Sequence, residues 1–326
     1  MVWVKAIRMY VYLLVLMVAV LVSHALAGEY SLHRQDSMIG SINIIHSRYQ
    51  DTLLDIAHTF NIGYNEIIRA NPDVDIWLPG EGTEVLIPQL FVLPNAPWKG
   101  IVLNLSERRL YYFPQHDSTL DATRRVFTFP VGIGREGWNT PVGKTSIVSK
   151  IANPSWTPPQ SIREEALLKG IVLPDRVDPG PDNPLGEYAL NLGIPRYLLH
   201  GTNKPDGIGM RVSHGCIRLF PDDIKTLYDS IDIDTPVWII DQPDKAGWLG
   251  QLLYLESHPA GYKESISNED QYLDEIWRVL PNESIDINWS LAEQVHRRAN
   301  GVPTVIGRRL SAAQGSDDGE FQEEVE

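Results

Sequence analysis

Three side chains near the middle of the chain carry the candidate chemistry. The stretch LLHGTNKPDGIGMRVSHGCIRLF, from Leu198 to Phe220, holds His200, His214 and Cys216, and Cys216 is the only cysteine in 326 residues. The thiolate is the nucleophilic form, and a free thiol with a pKa of about 8.5 is only about 3% ionised at pH 7. An imidazole beside the thiol raises that fraction and can later protonate a departing amine. His200 lies sixteen residues before the cysteine and His214 two before it. Gly215 lets the backbone turn tightly, so that successive N–H groups can face one point and hold an oxyanion. The set suits nucleophilic acyl transfer, and a coupled His200–Cys216 pair predicts a thiol that titrates below its free value.

The same residues admit plainer readings. A lone cysteine often packs as a small hydrophobe, and a histidine at a strand end is often a hydrogen-bonded structural residue. Two histidines and a cysteine also suggest zinc, but crowding as H-G-C does not match the known zinc spacings. No metal or other cofactor is expected. The residues alone leave nucleophile and buried hydrophobe both open.

The elements that must position these side chains come in an ordered chain. Residues 1–27 read as a secretory signal peptide: Lys5 and Arg8 ahead of an apolar run from Met9 to Val22, then the small-residue site Ala25-Leu26-Ala27. That run is shorter than the roughly 20 residues of a spanning helix; an uncleaved signal anchor, with the apolar character extended by Val2 to Val4, is the alternative. No stable membrane span is expected after cleavage, and the expected location is outside the cytoplasm. The formal charge is −14, and losing Lys5 and Arg8 with no acids takes it near −16. This balance argues against nucleic acid and against an anionic membrane surface as partners. An exported chain with one cysteine has no internal disulfide, which leaves a free thiol, an intermolecular link or a core residue.

Ser41 to Leu90 reads as strand, helix, helix, strand. SINIIHS is the first strand, and Asp51 is the expected N-cap of a helix carrying Leu53, Leu54, Ile56, Ala57 and Phe60. YNEIIRANPD is a second helix, stopped at Asn71-Pro72, and TEVLIPQ closes the unit. Gly28 to Gly40 shows no clear period. From Pro97 to Asp241 short strand patterns punctuated by Gly and Pro predict a mainly β domain, with a hairpin turning at Ser106 to Arg109 and a helix over Pro221 to Ser230. Residues 242–310 form a C-terminal extension with one expected strand (AGWLGQLLYLESHP) and one helix with Tyr272, Ile276 and Leu280 on a face. Residues 311–326 are polar and acidic, and are expected to be disordered.

Two resemblances tie these regions together. DTLLDIAHTFNIGYNEIIRANPDVD with the closing VLIP resembles a LysM module, a βααβ domain that binds N-acetylglucosamine-containing glycans such as peptidoglycan. HGTN and SHGCIRL, with TFPVGIGREGWNTPVGKTSI and NPSWTPP, resemble the L,D-transpeptidases with a YkuD-type catalytic domain, in the periplasmic branch that carries LysM upstream. The resemblance implies an α+β chain whose catalytic domain is mainly β and sandwich-like, with its site in a cleft under a loop. It implies cleavage after the third residue of a peptidoglycan tetrapeptide stem through a thioester. The acyl group then passes to an amine, in lipoprotein attachment or in direct stem cross-linking. By the same resemblance Cys216 is the nucleophile and His200 the proton donor and acceptor. The Gly201 carbonyl orients His200, and His214 neighbours the substrate. The Gly215 and Cys216 amides form the oxyanion hole, Arg218 clamps a stem carboxylate and Ser213 shapes the loop. Hydrolysis with water as acceptor, and a catalytically silent wall-binding protein, are the alternatives. Because the chemistry lies after Pro97, deletion of Ser41 to Leu90 is expected to spare reaction with small soluble stems.

Overall fold

The computed structural model describes residues 28–115, 123–262 and 270–310; the expected signal segment and acidic tail lie outside the described residues. β1 (Glu29–His33) and β2 (Met38–His46) precede α1 (Leu53–Thr59), α2 (Tyr64–Ala70) and β3 (Glu84–Val92). β2 and β3 pair antiparallel from Met38 opposite Val92 to His46 opposite Glu84, giving the βααβ order with strands slightly longer than the pattern predicts. Thr52, not Asp51, caps α1. The Asp55 N–H donates to Thr52 Oγ1 at 3.1 Å, and the Thr52 N–H donates to the Asp55 carboxylate at 3.0 Å. This reciprocal box requires the i, i+3 pair that Thr52 and Asp55 supply, while Asp51 accepts from the Arg48 amide at 2.8 Å.

The hairpin of β4 (Gly100–Asn104) and β5 (Arg109–Phe113) follows, then β6 (Thr123–Pro130), β7 (Ile133–Gly134) and β8 (Gly143–Ala152). After α3 (Gln160–Leu168) come β9 (Tyr188–Leu192), β10 (Leu198–His200), β11 (Arg211–Ser213), β12 (Ile217–Arg218), α4 (Pro221–Ser230) and β13 (Pro236–Ile240). Nine strands make one mixed sheet in the order β1-β6-β5-β4-β13-β8-β9-β10-β12, and β7 pairs with β11 beside it.

Alternation along the strands sends side chains to two cores. Ile101, Leu103, Leu110, Phe129 and Ile239 pack with Leu190, Leu199 and Ile217 from the other end of the sheet and with Leu227 of α4. Strands from both ends of the sheet thus share one core. Val102, Tyr111, Phe113 and Val126 point the opposite way and pack with Leu53, Ile56, Ile67 and Val85 of the βααβ unit. Polar contacts reinforce that junction. Arg109 has a side chain 1% exposed and donates to both Glu66 oxygens, at 2.7 and 2.8 Å. Asn61 Nδ2 donates to Asp223 at 3.1 Å, and Asn65 Nδ2 to the Gly209 carbonyl at 2.6 Å. The βααβ unit thus covers one face of the nine-stranded sheet. Its removal strips Val102, Tyr111 and Phe113 of their cover, so the expectation that deleting it spares the chemistry does not survive the packing.

The C-terminal extension has its own four-stranded sheet, ordered β14-β15-β17-β16, from β14 (Asp244–Leu249), β15 (Leu252–Ser257), β16 (Ile285–Ile287) and β17 (Thr304–Arg309). AGWLGQLLYLESHP is a hairpin rather than one strand, because Gly250 takes a left-handed turn (φ 58°). α5 (Gln271–Val279) and α6 (Trp289–Arg298) place Ile276, Ala292 and Val295 against Trp248, Leu253 and Leu255. Lys245 is wholly buried, with Nζ 2.9 Å from Glu107 and 2.8 Å from Glu256, and Glu256 meets His258 at 2.6 Å. Glu107, Glu256 and His258 have metal-ligand spacing, but the Lys245 ammonium already fills the cation's role between the carboxylates. Among the described residues no helix is long and apolar enough to cross a membrane.

Candidate active site

β10 and β12 run parallel, with Leu199 opposite Ile217 and His200 opposite Arg218. Leu199 and Ile217 are fully buried in the core. By alternation, Leu198, His200 and Arg218 share the other face. Cys216 directly precedes β12, the strand that pairs with the one ending in His200, the cysteine partly open and the histidine only 3% exposed. His200 Nδ1 lies 2.6 Å from the Gly201 carbonyl and donates to it, which leaves Nε2 as the acceptor of the neutral ring. The backbone at Gly201 runs close to α4, where a Cβ would meet Ile224 Cγ2 at 3.2 Å.

Burial decides the charge state of the pair. It drives the His200 pKa down to about 3, Arg218 adds to the fall, and the Gly201 and Leu185 carbonyls oppose it. Burial also pushes the Cys216 thiol up, against the smaller opposing pull of the Leu198 amide and Arg218. Burial thus opposes the low-pKa thiolate expected from the sequence. It penalises both thiolate and imidazolium and so favours a neutral pair, and the thiol donates to the Arg196 carbonyl at 3.5 Å.

The loop before the cysteine is pinned from three sides. Ser213 Oγ donates to the Cys216 carbonyl at 2.5 Å and accepts the Gly215 N–H at 3.1 Å. Gly215 sits at φ 104°, a conformation that only glycine adopts freely, and its amide is turned back to Ser213. The Gly215 amide is thus engaged inside the loop. Thr140 Oγ1 donates to the Gly215 carbonyl at 2.8 Å, the Thr140 N–H donates to Tyr262 Oη at 2.9 Å, and Tyr262 donates to the Gly134 carbonyl at 3.3 Å. Tyr262 comes from the C-terminal extension, which so braces the catalytic loop.

His214 turns toward α3 instead. Its Nε2 lies 2.9 Å from Glu165 Oε2, and Arg135 Nη2 contacts the same carboxylate oxygen. Lys169 Nζ meets Glu165 Oε1 at 2.7 Å. Lys169, then Arg135 and His214, hold the Glu165 carboxyl down at about 2. The Trp138 ring stands edge-on to His214 at 4.8 Å. Arg218 flanks the thiol on the catalytic face, and its buried Nε makes no hydrogen bond among the described residues. That leaves it a donor for an anionic ligand.

The structure brings His200, Gly201, Ser213, Gly215, Cys216 and Arg218 together, and carries His214 to a second cluster. Sequence reasoning missed Glu165, Arg135, Thr140 and Tyr262. Arg135 and Thr140 stand in the quoted GREGWNT stretch, but nothing local shows which partner each would meet. The signal for Glu165 is weaker still, because REE on a short polar helix reads as a solvated face.

Comparison with known proteins identifies the family. Residues 99–239 match the YkuD L,D-transpeptidase catalytic domain. The chain is 38% identical over 258 residues to the "Probable L,D-transpeptidase ErfK/SrfK" of Escherichia coli (strain K12), covering 77% of this chain and 80% of that protein. It is 41% identical over 298 residues to the protein of the same name from Salmonella typhimurium, covering 88% and 94%. To the "Probable L,D-transpeptidase YcfS" of E. coli (strain K12) it is 42% identical, over 68% of this chain and 65% of that one. With a matching catalytic domain, and relatives aligned along most of their own length, the chain belongs to the L,D-transpeptidase family.

Proposed function

We propose that this enzyme is a peptidoglycan L,D-transpeptidase in which Cys216 forms the acyl-enzyme and His200 moves the proton. The carrying observation is that Cys216 directly precedes the strand paired with the one ending in His200, both residues neighbour Arg218, and His200 Nδ1 is tied to the Gly201 carbonyl. His200 Nε2 takes the thiol proton as Sγ attacks the donor carbonyl of a tetrapeptide stem. The tetrahedral oxyanion is met by the Cys216 amide, since the Gly215 amide is held by Ser213. Collapse returns the proton from His200 to the departing amine of the terminal residue and leaves a thioester on Cys216. An acceptor amine then attacks the thioester, gives its proton to His200 and regenerates the thiol. A neutral pair suits this sequence, because the base enters each half-reaction uncharged. Arg218, with an uncommitted Nε, suits a stem carboxylate.

The exported, periplasmic location and the envelope lipoprotein or second stem as acceptor belong to the same proposal. The βααβ unit is read as LysM-like and wall-binding. Support comes from its loops, where Tyr49 and Trp77 are 82% and 62% exposed and offer flat rings to sugar faces. The test is a disaccharide tetrapeptide turned over by wild type and by Cys216→Ala, with products weighed. Turnover by wild type alone supports the assignment, and turnover by Cys216→Ala overturns it. Trp77→Ala and Tyr49→Ala, which leave the shared core intact, should weaken pelleting with insoluble peptidoglycan; unchanged pelleting removes the glycan-binding reading.

A further inference from the structure

Helix α3 buries none of its side chains, and Leu167 and Leu168 are 65% and 89% exposed. Nine residues do not make a stable helix alone, so polar contacts keep it over the site. Glu165 is its tie to the catalytic loop. That carboxylate meets Arg135 Nη2 and, at 2.9 Å, His214 Nε2, from two other elements. The receiving pair is braced independently of α3. Trp138 stands 4.8 Å edge-on to His214 and 5.9 Å from the Arg135 guanidinium. Arg135 also holds more donor capacity than Glu165 uses, since its buried Nε makes no hydrogen bond among the described residues. A ligand carboxylate can span Nε and Nη2 as a fork, a stronger arrangement than the single-nitrogen contact.

We propose that Arg135 and His214 form a subsite for a carboxylate of the peptide acyl donor, and that Glu165 occupies it in the free enzyme as an internal mimic of that carboxylate. Donor binding displaces Glu165, and α3 with it, from a surface where the helix has nothing buried to lose. The identity of the donor rests on the transpeptidase reading; the presence of a carboxylate subsite two residues from the thiol does not. An internal occupant lowers apparent affinity by the fraction of molecules left open, so a site filled in about nine molecules of ten costs about tenfold in apparent affinity.

The test compares iodoacetate with iodoacetamide as alkylators of Cys216, reagents that differ in carrying a carboxylate. The ratio of their rate constants is measured for wild type, Glu165→Gln and Glu165→Gln/Arg135→Gln. Freeing the subsite should raise the iodoacetate-to-iodoacetamide ratio about tenfold in Glu165→Gln, and removing the guanidinium should return it to the wild-type value. The KM for a tetrapeptide stem should fall in Glu165→Gln and rise in Arg135→Lys, which keeps the charge but loses the fork. A ratio equal in all three proteins, or equal slowing of both reagents in Glu165→Gln, overturns the subsite and leaves Glu165 a structural tie. If the ratio responds as stated while wild type fails to turn over stems, the subsite stands and the donor assignment falls.

Discussion

The neutral resting pair makes a quantitative prediction about thiol reactivity. Iodoacetamide consumes the thiolate, so its rate against pH reports thiolate fraction. Burial holds Cys216 above the ordinary 9.0, and His200 at about 3 carries no charge to pull it down. With its midpoint raised, the thiol is a minor thiolate species at pH 7, and the rate should climb about tenfold per pH unit below the midpoint. His200→Ala should therefore leave the alkylation midpoint nearly in place while cutting turnover by about 10²–10⁴, the usual worth of a positioned base. Arg218→Ala should move the midpoint further up, because that guanidinium is one of the groups favouring the thiolate. The assay is the pseudo-first-order rate from pH 5 to 10 for the three proteins, alongside stem turnover. A wild-type midpoint below pH 7 that rises on His200→Ala would mean a preformed thiolate–imidazolium pair and refute the neutral-pair argument.

Other substitutions follow from the same packing. Glu66→Ala leaves the guanidinium of Arg109, 1% exposed, without its partner and should cost about 3–5 kcal/mol in urea unfolding. Tyr262→Phe removes the acceptor of the Thr140 N–H, and should cost about 1–3 kcal/mol and lower turnover from outside the catalytic domain. Burial raises Asp223 from 3.8 to about 8, so the folded state keeps a proton there that the unfolded chain has released. Stability then falls by about 1.4 kcal/mol per pH unit across that window from this group. His200 and His258, both lowered from 6.5 to about 3, act oppositely: stability rises with pH until about 6.5 and then gains no more from them. Thermal unfolding should show wild type weakening between pH 6.5 and 8 and Asp223→Asn holding flatter; parallel curves contradict the assignment.

The thiol motif and the βααβ order were legible because each is local. The Cys216 loop sits within one stretch, and helical spacing of Leu53, Ile56 and Ala57 marks the face that is in fact buried. β1 was not legible, since its five residues carry only two apolar side chains and gain their place by pairing with β6, about ninety residues on. The shared core under the βααβ unit was also hidden. Val102 and Tyr111 alternate as any two-sided strand does, and nothing local tells which module covers them. The same holds for Tyr262, which reads as one aromatic in an extension but completes the bracing of Gly215 through Thr140. The depressed thiol expected from a neighbouring imidazole is opposed by burial, which acts on both charges and which spacing does not report.

The most direct test of the mechanism is intact-protein and peptide mass spectrometry of the enzyme quenched in acid during turnover of a disaccharide tetrapeptide. The account predicts one adduct per chain, equal to the stem less its terminal residue, on the peptide that contains Cys216, absent in Cys216→Ala and accumulating when acceptor amine is withheld. An adduct on any other residue, or terminal-residue release by Cys216→Ala at the wild-type rate, contradicts it.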